Sequence, residues 1–284
     1  MHRRFTSFWA RVLVACVPVL GLVMAAGTGT ASAAHSPVNA RAAALAALKH
    51  LKIGQHATNH PFPGHSVRVK GQSTSTNWAG YSETQASSKY TKITGKWTEP
   101  AGNCTSANSL AVFWTGIDGF NSNTVEQDGT LIQCAGGKAT YFSWWEMFPS
   151  NAIQVVSSAV RPGDQITSSV TRSGTKYTLK ITDSTHPAAS FSTTQTCAAA
   201  TCVDSSAEWI AEAPSDNSGV LPLSNFGSWT LTGATVKAGT KSGTITTFPD
   251  HKITMVNDSG QVKAQTGALN SAGNRFKVAF KRST

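Results

Sequence analysis

Ser206-Ala207-Glu208-Trp209-Ile210-Ala211-Glu212 alternates between two kinds of residue. Successive side chains of an extended strand point to opposite faces. Glu208, Ile210 and Glu212 therefore share one face, and Ala207, Trp209 and Ala211 the other. The same period runs through Thr124-Val125-Glu126-Gln127-Asp128-Gly129-Thr130, which sets Gln127 and Glu126 on opposite faces. Working outward, stretches rich in Val, Ile, Thr, Tyr, Phe and Trp recur between turn residues, at 93–98, 152–160, 165–171, 176–182, 229–236 and 276–280. No long helical period interrupts them and no internal repeat is visible. About 210 residues of short strands from Ser73 onward predict one all-β domain, a sandwich or a barrel.

Ahead of that domain the chain changes character. Arg3, Arg4 and Arg11 flank an apolar run, Val12 to Ala26, broken by Pro18 and Gly21, and Ala31-Ser32-Ala33 supplies a small-residue cleavage pattern. The run falls short of the ~20 residues that span a bilayer, so residues 1–33 read as a secretory signal peptide. Residues 34–72 are polar and basic. Within them, Ala42 to Leu51 predicts a short helix, and Asn59-His60-Pro61-Phe62-Pro63-Gly64 punctuates like a linker. This zone reads as a propeptide, with a plain linker as the alternative. The exposed residues between His56 and Gln72 are the expected place for processing, giving a start near Ser73.

The net charge of +10 divides unevenly. Residues 1–72 hold eight Lys/Arg and no Asp or Glu, whereas residues 73–284 hold sixteen Lys/Arg against fourteen Asp/Glu. The domain itself is therefore close to neutral, and nucleic-acid binding loses its support. Few ionised carboxylates leave few ion pairs to lose in acid, which suits an acid-stable protein.

Cys16 lies in the signal. Cys104, Cys134, Cys197 and Cys202 remain, an even number in an exported chain, so two disulfides are expected. Three connectivities are open. Cys104–Cys134 with Cys197–Cys202 is favoured because the last two are near neighbours. No Cys-x-x-Cys pair supports zinc. Six of the eight histidines, His2 to His65, precede the domain, leaving His186 and His251, and no Gly-x-Ser-x-Gly elbow is present. Histidine-activated nucleophiles and zinc hydrolysis both lack parts, and no metal or cofactor is expected. Carboxylate and amide chemistry remains. A glutamate on a concave sheet face can activate water and then protonate a leaving amine. A glutamine amide opposite it can donate to an oxyanion.

Four stretches now matter together: Phe113-Trp114-Thr115-Gly116-Ile117-Asp118-Gly119, then Gln127-x-Gly129, then Tyr141-Phe142-Ser143-Trp144-Trp145-Glu146-Met147-Phe148-Pro149, then Ala207-Glu208-Trp209-Ile210. In order and spacing they resemble the glutamic peptidases, the eqolisin or G1 family of secreted acid proteases, over roughly Ser73 to Lys237. The resemblance implies a two-sheet antiparallel β-sandwich of concanavalin or lectin type, acting as an endopeptidase on polypeptides without metal. It implies Gln127 and Glu208 as the catalytic pair, and Trp114, Asp118, Trp144, Glu146 and Phe148 at the substrate cleft.

Phe142 and Leu131 stand where family members commonly carry acids, and one residue fewer separates Asp118-Gly119 from Gln127. These departures fit a bacterial branch better than a fungal one. The expected organisation is 1–33 signal peptide, 34–72 basic propeptide and 73–284 peptidase domain. A secreted monomer follows, without stable membrane association once the signal is removed. The propeptide is expected to cover the cleft at neutral pH and leave it in acid. Two rivals keep the sandwich: a carbohydrate-binding module stacking sugars on Trp144, Trp145 and Trp209, and a glycoside hydrolase using Glu146 and Glu208.

Overall fold

The computed structural model describes Ala46, Leu48 to Ile53 and residues 72–84, 86, 89–197 and 202–284. The expected signal peptide and most of the expected propeptide lie outside the described residues. Strands β1 (Gln72–Ser75), β2 (Trp78–Thr84), β3 (Tyr90–Thr98), β4 (Ser109–Ile117), β5 (Val125–Ala135) and β6 (Lys138–Phe148) come first. Next are β7 (Asn151–Ser157), β8 (Gln165–Ser173), β9 (Lys176–Asp183), β10 (Phe191–Thr196) and β11 (Ser206–Glu212). The C-terminal part adds β12 (Ser215–Asp216), β13 (Gly219–Val220), β14 (Ser228–Ala238) and β15 (Lys241–Gly243). It closes with β16 (Asp250–Val256), β17 (Val262–Thr266) and β18 (Phe276–Phe280).

Each stretch read as extended is a strand. The one expected over 152–160 stops at Ser157, whose hydroxyl accepts the Ala159 N–H at 3.1 Å and turns the chain. Of the helix expected over 42–51, Ala46 and Leu48 are helical, Lys49 and His50 form a turn, and the helix has ended by Leu51. Among the described residues no helix is long and apolar enough to cross a membrane.

The main hydrogen-bonded path runs β10-β9-β8-β3-β14-β18-β17-β16-β2-β11-β4-β5-β6-β7, with β1 joined in parallel to β16 and β15 joined to β14. It folds back on itself, so that β8 and β9 cover β5 while β3 covers β4 and β11. Two antiparallel layers result, the expected sandwich. Alternation decides what they hide. Between the layers lie Tyr90, Trp97, Phe113, Tyr177, Trp209, Trp229 and Phe276. Trp229 is their hub, edge-on to Trp97 and Phe276 and stacked on Phe113. Fully burying one Phe-sized apolar side chain contributes ~1.5–3 kcal/mol, so this core carries the fold.

The outer face of β2, β11, β4, β5 and β6 holds a second apolar cluster, which includes Trp78, Val112, Trp114, Leu131, Phe142, Trp144 and Ile210. Leu48, Leu51 and Ile53 are buried in that same cluster. Both favoured disulfides are formed, Cys104–Cys134 with Cα atoms 5.3 Å apart and Cys197–Cys202 at 6.3 Å. The first ties the approach to β4 to the end of β5. The second closes a loop just ahead of β11.

Candidate active site

Directly opposed residues on paired strands share a face, so the ladder register locates side chains. Glu208 on β11 opposes Ser82 on β2 and Gly116 on β4. Gly116 opposes Gln127 on β5, Gln127 opposes Glu146 on β6, and Ser82 opposes His251 on β16. One row across the outer face thus reads His251, Ser82, Glu208, Gly116, Gln127, Glu146. Strands lie ~4.8 Å apart, so Glu208 and Gln127 stand roughly two spacings from each other. The residue between them is glycine. A Cβ on Gly116 would come 2.9 Å from the Trp114 ring and 3.2 Å from the Gln127 Cβ. Gly116 keeps a slot open between acid and amide.

The neighbouring rows build the floor. One runs Ile210, Trp114, Gly129, Trp144, and the next Glu212, Val112, Leu131, Phe142. Trp78 meets Trp114 edge-on at 5.0 Å, and the Trp114 indole N–H donates to Glu212 at 2.8 Å. Leu131 and Phe142, the two departures from the family pattern, oppose each other across β5 and β6 and are both fully buried. Each apolar replacement covers the other. Trp144 is buried in this floor, and Phe148 packs half-buried at its edge.

The Gln127 amide nitrogen donates to the Glu146 carboxyl at 3.0 Å and to the Ile53 carbonyl at 3.0 Å. Both partners are acceptors, which fixes the nitrogen of the amide rather than its oxygen on this side. Glu146 therefore orients Gln127, whose other amide hydrogen goes to the Ile53 carbonyl. Burial holds the Glu146 carboxyl well above the usual carboxylate range, helped by the Glu212 charge and opposed by the Gln127 bond.

Glu208 is 0% exposed, and neither carboxyl oxygen has a hydrogen-bond partner among the described residues. Burial pushes its pKa well up. The nearby Ser206 hydroxyl and Phe120 backbone N–H pull it down, and the Asp118 and Glu126 charges push it further up. Ser206 offers this influence without a hydrogen bond of ordinary geometry.

The sequence places Asp118 at the cleft, but its carboxylate is taken up elsewhere. With φ of 68° it sits in the left-handed region that a short polar side chain tolerates. It accepts the backbone N–H groups of Asp204 and Ser205, each at 2.7 Å. It ties the β4–β5 loop to the entry of β11 and so positions Glu208. Glu126 faces away from the slot, as its parity requires. Its oxygen lies 2.8 Å from the Cys202 sulfur, and a disulfide sulfur has no proton to give. The proton belongs to the carboxyl, whose pKa burial and the charges of Asp118 and Asp204 raise strongly.

Neither rival site is assembled. Trp209, Thr115, Asp128 and Trp145 form one row on the core side, while Trp144 faces the cleft. The Trp209 indole N–H is spent on the Thr94 carbonyl at 2.8 Å. Three stacking platforms on one surface are therefore absent. Glu146 and Glu208 do not face each other either, since Gln127 stands between them and holds Glu146.

Gly116, Ser82 and His251 escaped the sequence reading of the site. His251 stacks on Phe120 at 4.9 Å between ring centres, with its Nε2 3.3 Å from the Thr84 hydroxyl. Strand register alone could have found them. Away from the cleft, Asp164, Asp183 and His186 are close enough to share a metal ion, but are bonded to one another and to backbone amides.

The Peptidase A4 family matches residues 76–277. Aspergillopepsin-2 of Aspergillus niger is 25% identical over 250 residues, covering 75% of this chain and 84% of its own. A scytalido-glutamic peptidase solved with a peptide-based transition-state analogue has a TM-score of 0.62 at 19% identity, over 72% of this chain and 98% of its own. SCP-B, an eqolisin solved with the tripeptide Ala-Ile-His, gives 0.60 at 19% over the same shares. The aspergilloglutamic peptidase of Aspergillus niger gives 0.53 at 22%, over 61% of this chain and 99% of its own. The structural likenesses bear on the fold, and the family match over most of the chain bears on activity. This chain belongs to the Peptidase A4 family, the glutamic peptidases, and is a glutamic-type endopeptidase.

Proposed function

We propose that the chain is a secreted acid endopeptidase in which Glu208 activates water and Gln127 stabilises the oxyanion. One observation carries this reading. The Gln127 amide, oriented by Glu146, donates to a peptide carbonyl on the row whose other side is Glu208. A carbonyl held there is polarised toward attack. The Glu208 carboxylate takes a proton from water, the hydroxide oxygen bonds to the carbonyl carbon, and the new oxyanion faces the Gln127 N–H. Glu208 then gives the proton to the amide nitrogen as the C–N bond breaks. Trp114, Trp144 and Phe148 form the apolar wall, while Glu146 and Asp118 act as positioning residues.

The base must be ionised to start this cycle. Burial raises the Glu208 pKa well above the usual carboxylate range, and residues 48–53 lie over the cleft floor beside Gln127. That covering supports residues 34–72 as an inhibitory propeptide. Its contact is apolar, through Leu48, Leu51 and Ile53, in addition to the charge difference. The two disulfides support export.

Incubation with a denatured protein substrate from pH 2 to 7 tests the reading. Digestion should occur in acid and fall at least ~10²-fold in Glu208→Gln that still melts cooperatively. Ordinary proteolysis by that folded variant would remove the Glu/Gln mechanism.

A further inference from the structure

A segment that merely blocked the cleft would need no particular backbone atom at the amide of Gln127. Residues 48–53 present one. We propose that this segment lies in the cleft as a substrate, and that the peptide bond joining Ile53 to Gly54 is the chain's own first cleavage site. The proposal rests on the catalytic reading above, because it takes Gln127 as the oxyanion donor.

Three features of the segment carry it. The Ile53 carbonyl receives the Gln127 amide at 3.0 Å, the contact a carbonyl under attack must make. Lys52 pairs with Ser215 as an antiparallel bridge, its N–H donating to the Ser215 carbonyl at 2.7 Å and its carbonyl accepting the Ser215 N–H at 3.1 Å. Main-chain pairing of this kind holds an extended peptide irrespective of its side chains. The side chains then alternate as a bound strand requires, with Leu51 and Ile53 buried and Lys52 partly exposed. Leu48 anchors the turn that precedes them, 1% exposed in the same apolar cluster as Trp114 and Trp144.

The chemistry balances without any further reactant. Glu208 takes a proton from water, and the hydroxide oxygen adds to the Ile53 carbonyl carbon. Glu208 then returns the proton to the Gly54 nitrogen. The C–N bond breaks, leaving a carboxylate on Ile53 and a free amine on Gly54. This first cut lies upstream of the 56–72 region, so a start near Ser73 needs later trimming. It also defines a preference at the cleft, with an aliphatic residue supplying the attacked carbonyl. A basic residue is accommodated before it, since Lys52 is only partly buried while its backbone pairs with Ser215.

The full precursor is the material for the test. It is acidified over a 100-fold range of its own concentration, and new N-termini are followed in time by sequencing and intact mass. The first new N-terminus should be Gly54, with a half-time independent of concentration, because each molecule carries its own substrate. Glu208→Gln should not produce it, and Ile53→Asp should slow it at least ~10-fold, as expected for a charge placed in an apolar subsite. Three results would overturn the proposal. One is a Gly54 start in Glu208→Gln, which would assign the cut to another protease. Another is digestion of an added denatured protein while Ile53–Gly54 stays intact, in which case the catalytic reading survives alone. The third is failure to digest any added protein, which removes both.

Discussion

The two faces of the β11-β4-β5-β6 layer bury similar polar groups and treat them differently. Toward the core, Asp128 accepts the Ser168 hydroxyl and the Lys180 N–H, the latter at 2.6 Å. At the core's margins, Glu99 accepts the Thr130 hydroxyl at 2.6 Å and the Trp97 indole at 3.1 Å, and Glu83 accepts two backbone amides at 3.1 Å. Toward the cleft, neither Glu208 nor the Gln127 side-chain oxygen receives a hydrogen bond of ordinary geometry among the described residues, and only the Ser206 hydroxyl and the Phe120 backbone N–H come near Glu208. A buried polar group left without a partner costs ~1–3 kcal/mol. On one face the hydrogen bonds hold layers together. On the other, the Glu208 carboxyl and the Gln127 oxygen tie no layers together, as their proposed roles require.

The comparison breaks most decisively at the catalytic pair. Gln127→Ala should lower kcat ~10²–10³-fold, the usual scale for one oxyanion donor. If Gln127 and Glu208 act on the same intermediate, the double variant should lose far less than the product of the single losses. Steady-state kinetics on a peptide substrate would show this, with each Tm measured alongside. Multiplicative losses would mean that the two faces are not divided as argued.

The core-side carboxyls should instead govern stability against pH. Burial raises both Glu83 and Glu99 to about 8. Their folded pKa values lie above their unfolded ones, so the folded state holds the protons more tightly. The stabilisation is complete below about pH 4.5 and erodes as pH rises toward 8. At ~1.4 kcal/mol per unit this amounts to roughly 3 kcal/mol for each group by pH 7. Tm should be highest in acid and fall across that window, and Glu99→Gln should flatten the slope. A Tm that climbs from pH 4 to 7 would contradict the assignment. On this reading, buried protonated carboxyls add to the scarcity of ion pairs that composition suggests as a source of stability in acid.

A third, smaller effect separates the faces directly. Asp128→Ala leaves the Lys180 N–H without its acceptor and the Ser168 hydroxyl with only the Thr115 hydroxyl and the backbone carbonyl of residue 128, for about 1–3 kcal/mol of stability. Denaturant unfolding should show that loss while kcat per folded molecule stays unchanged.

These differences were unevenly legible in the sequence. Period-two alternation gave the strands and set Gln127 apart from Glu126, because side-chain parity is local. Bringing Gln127 to Glu208 needs β4 between β5 and β11, a pairing that no local pattern encodes. The same holds for Ser82 and His251, which reach the row through β2 and β16. Asp118 misled because a carboxylate that meets a substrate and one that pins two backbone amides are the same residue in a sequence. Leu48 and Leu51 lie three apart and read as a helix face. Their burial is satisfied by the cleft floor, and the helix has ended by Leu51.

The last test compares two glycines, one on each face. Gly116 sits in the slot, where an added Cβ would lie 2.9 Å from the Trp114 ring and 3.2 Å from the Gln127 Cβ. Gly95 of β3 sits between the layers, where its Cβ would lie 2.9 Å from both Leu231 and Thr115 and 3.2 Å from Trp209. Neither has the positive φ that would add backbone strain, so Gly→Ala at each is a test of crowding alone. Overpacking of this kind costs ~1–3 kcal/mol, and Tm should drop by a similar few degrees in both. Activity should separate them. Displacing the Gln127 amide by a fraction of an ångström moves the oxyanion donor, and a shift near 1 Å can cost ~10²-fold. Gly116→Ala should therefore lower kcat by about 10-fold, whereas Gly95→Ala should leave it within about 2-fold. Equal losses of activity would mean that the slot is ordinary packing and that the glycine between Glu208 and Gln127 has no part in the chemistry.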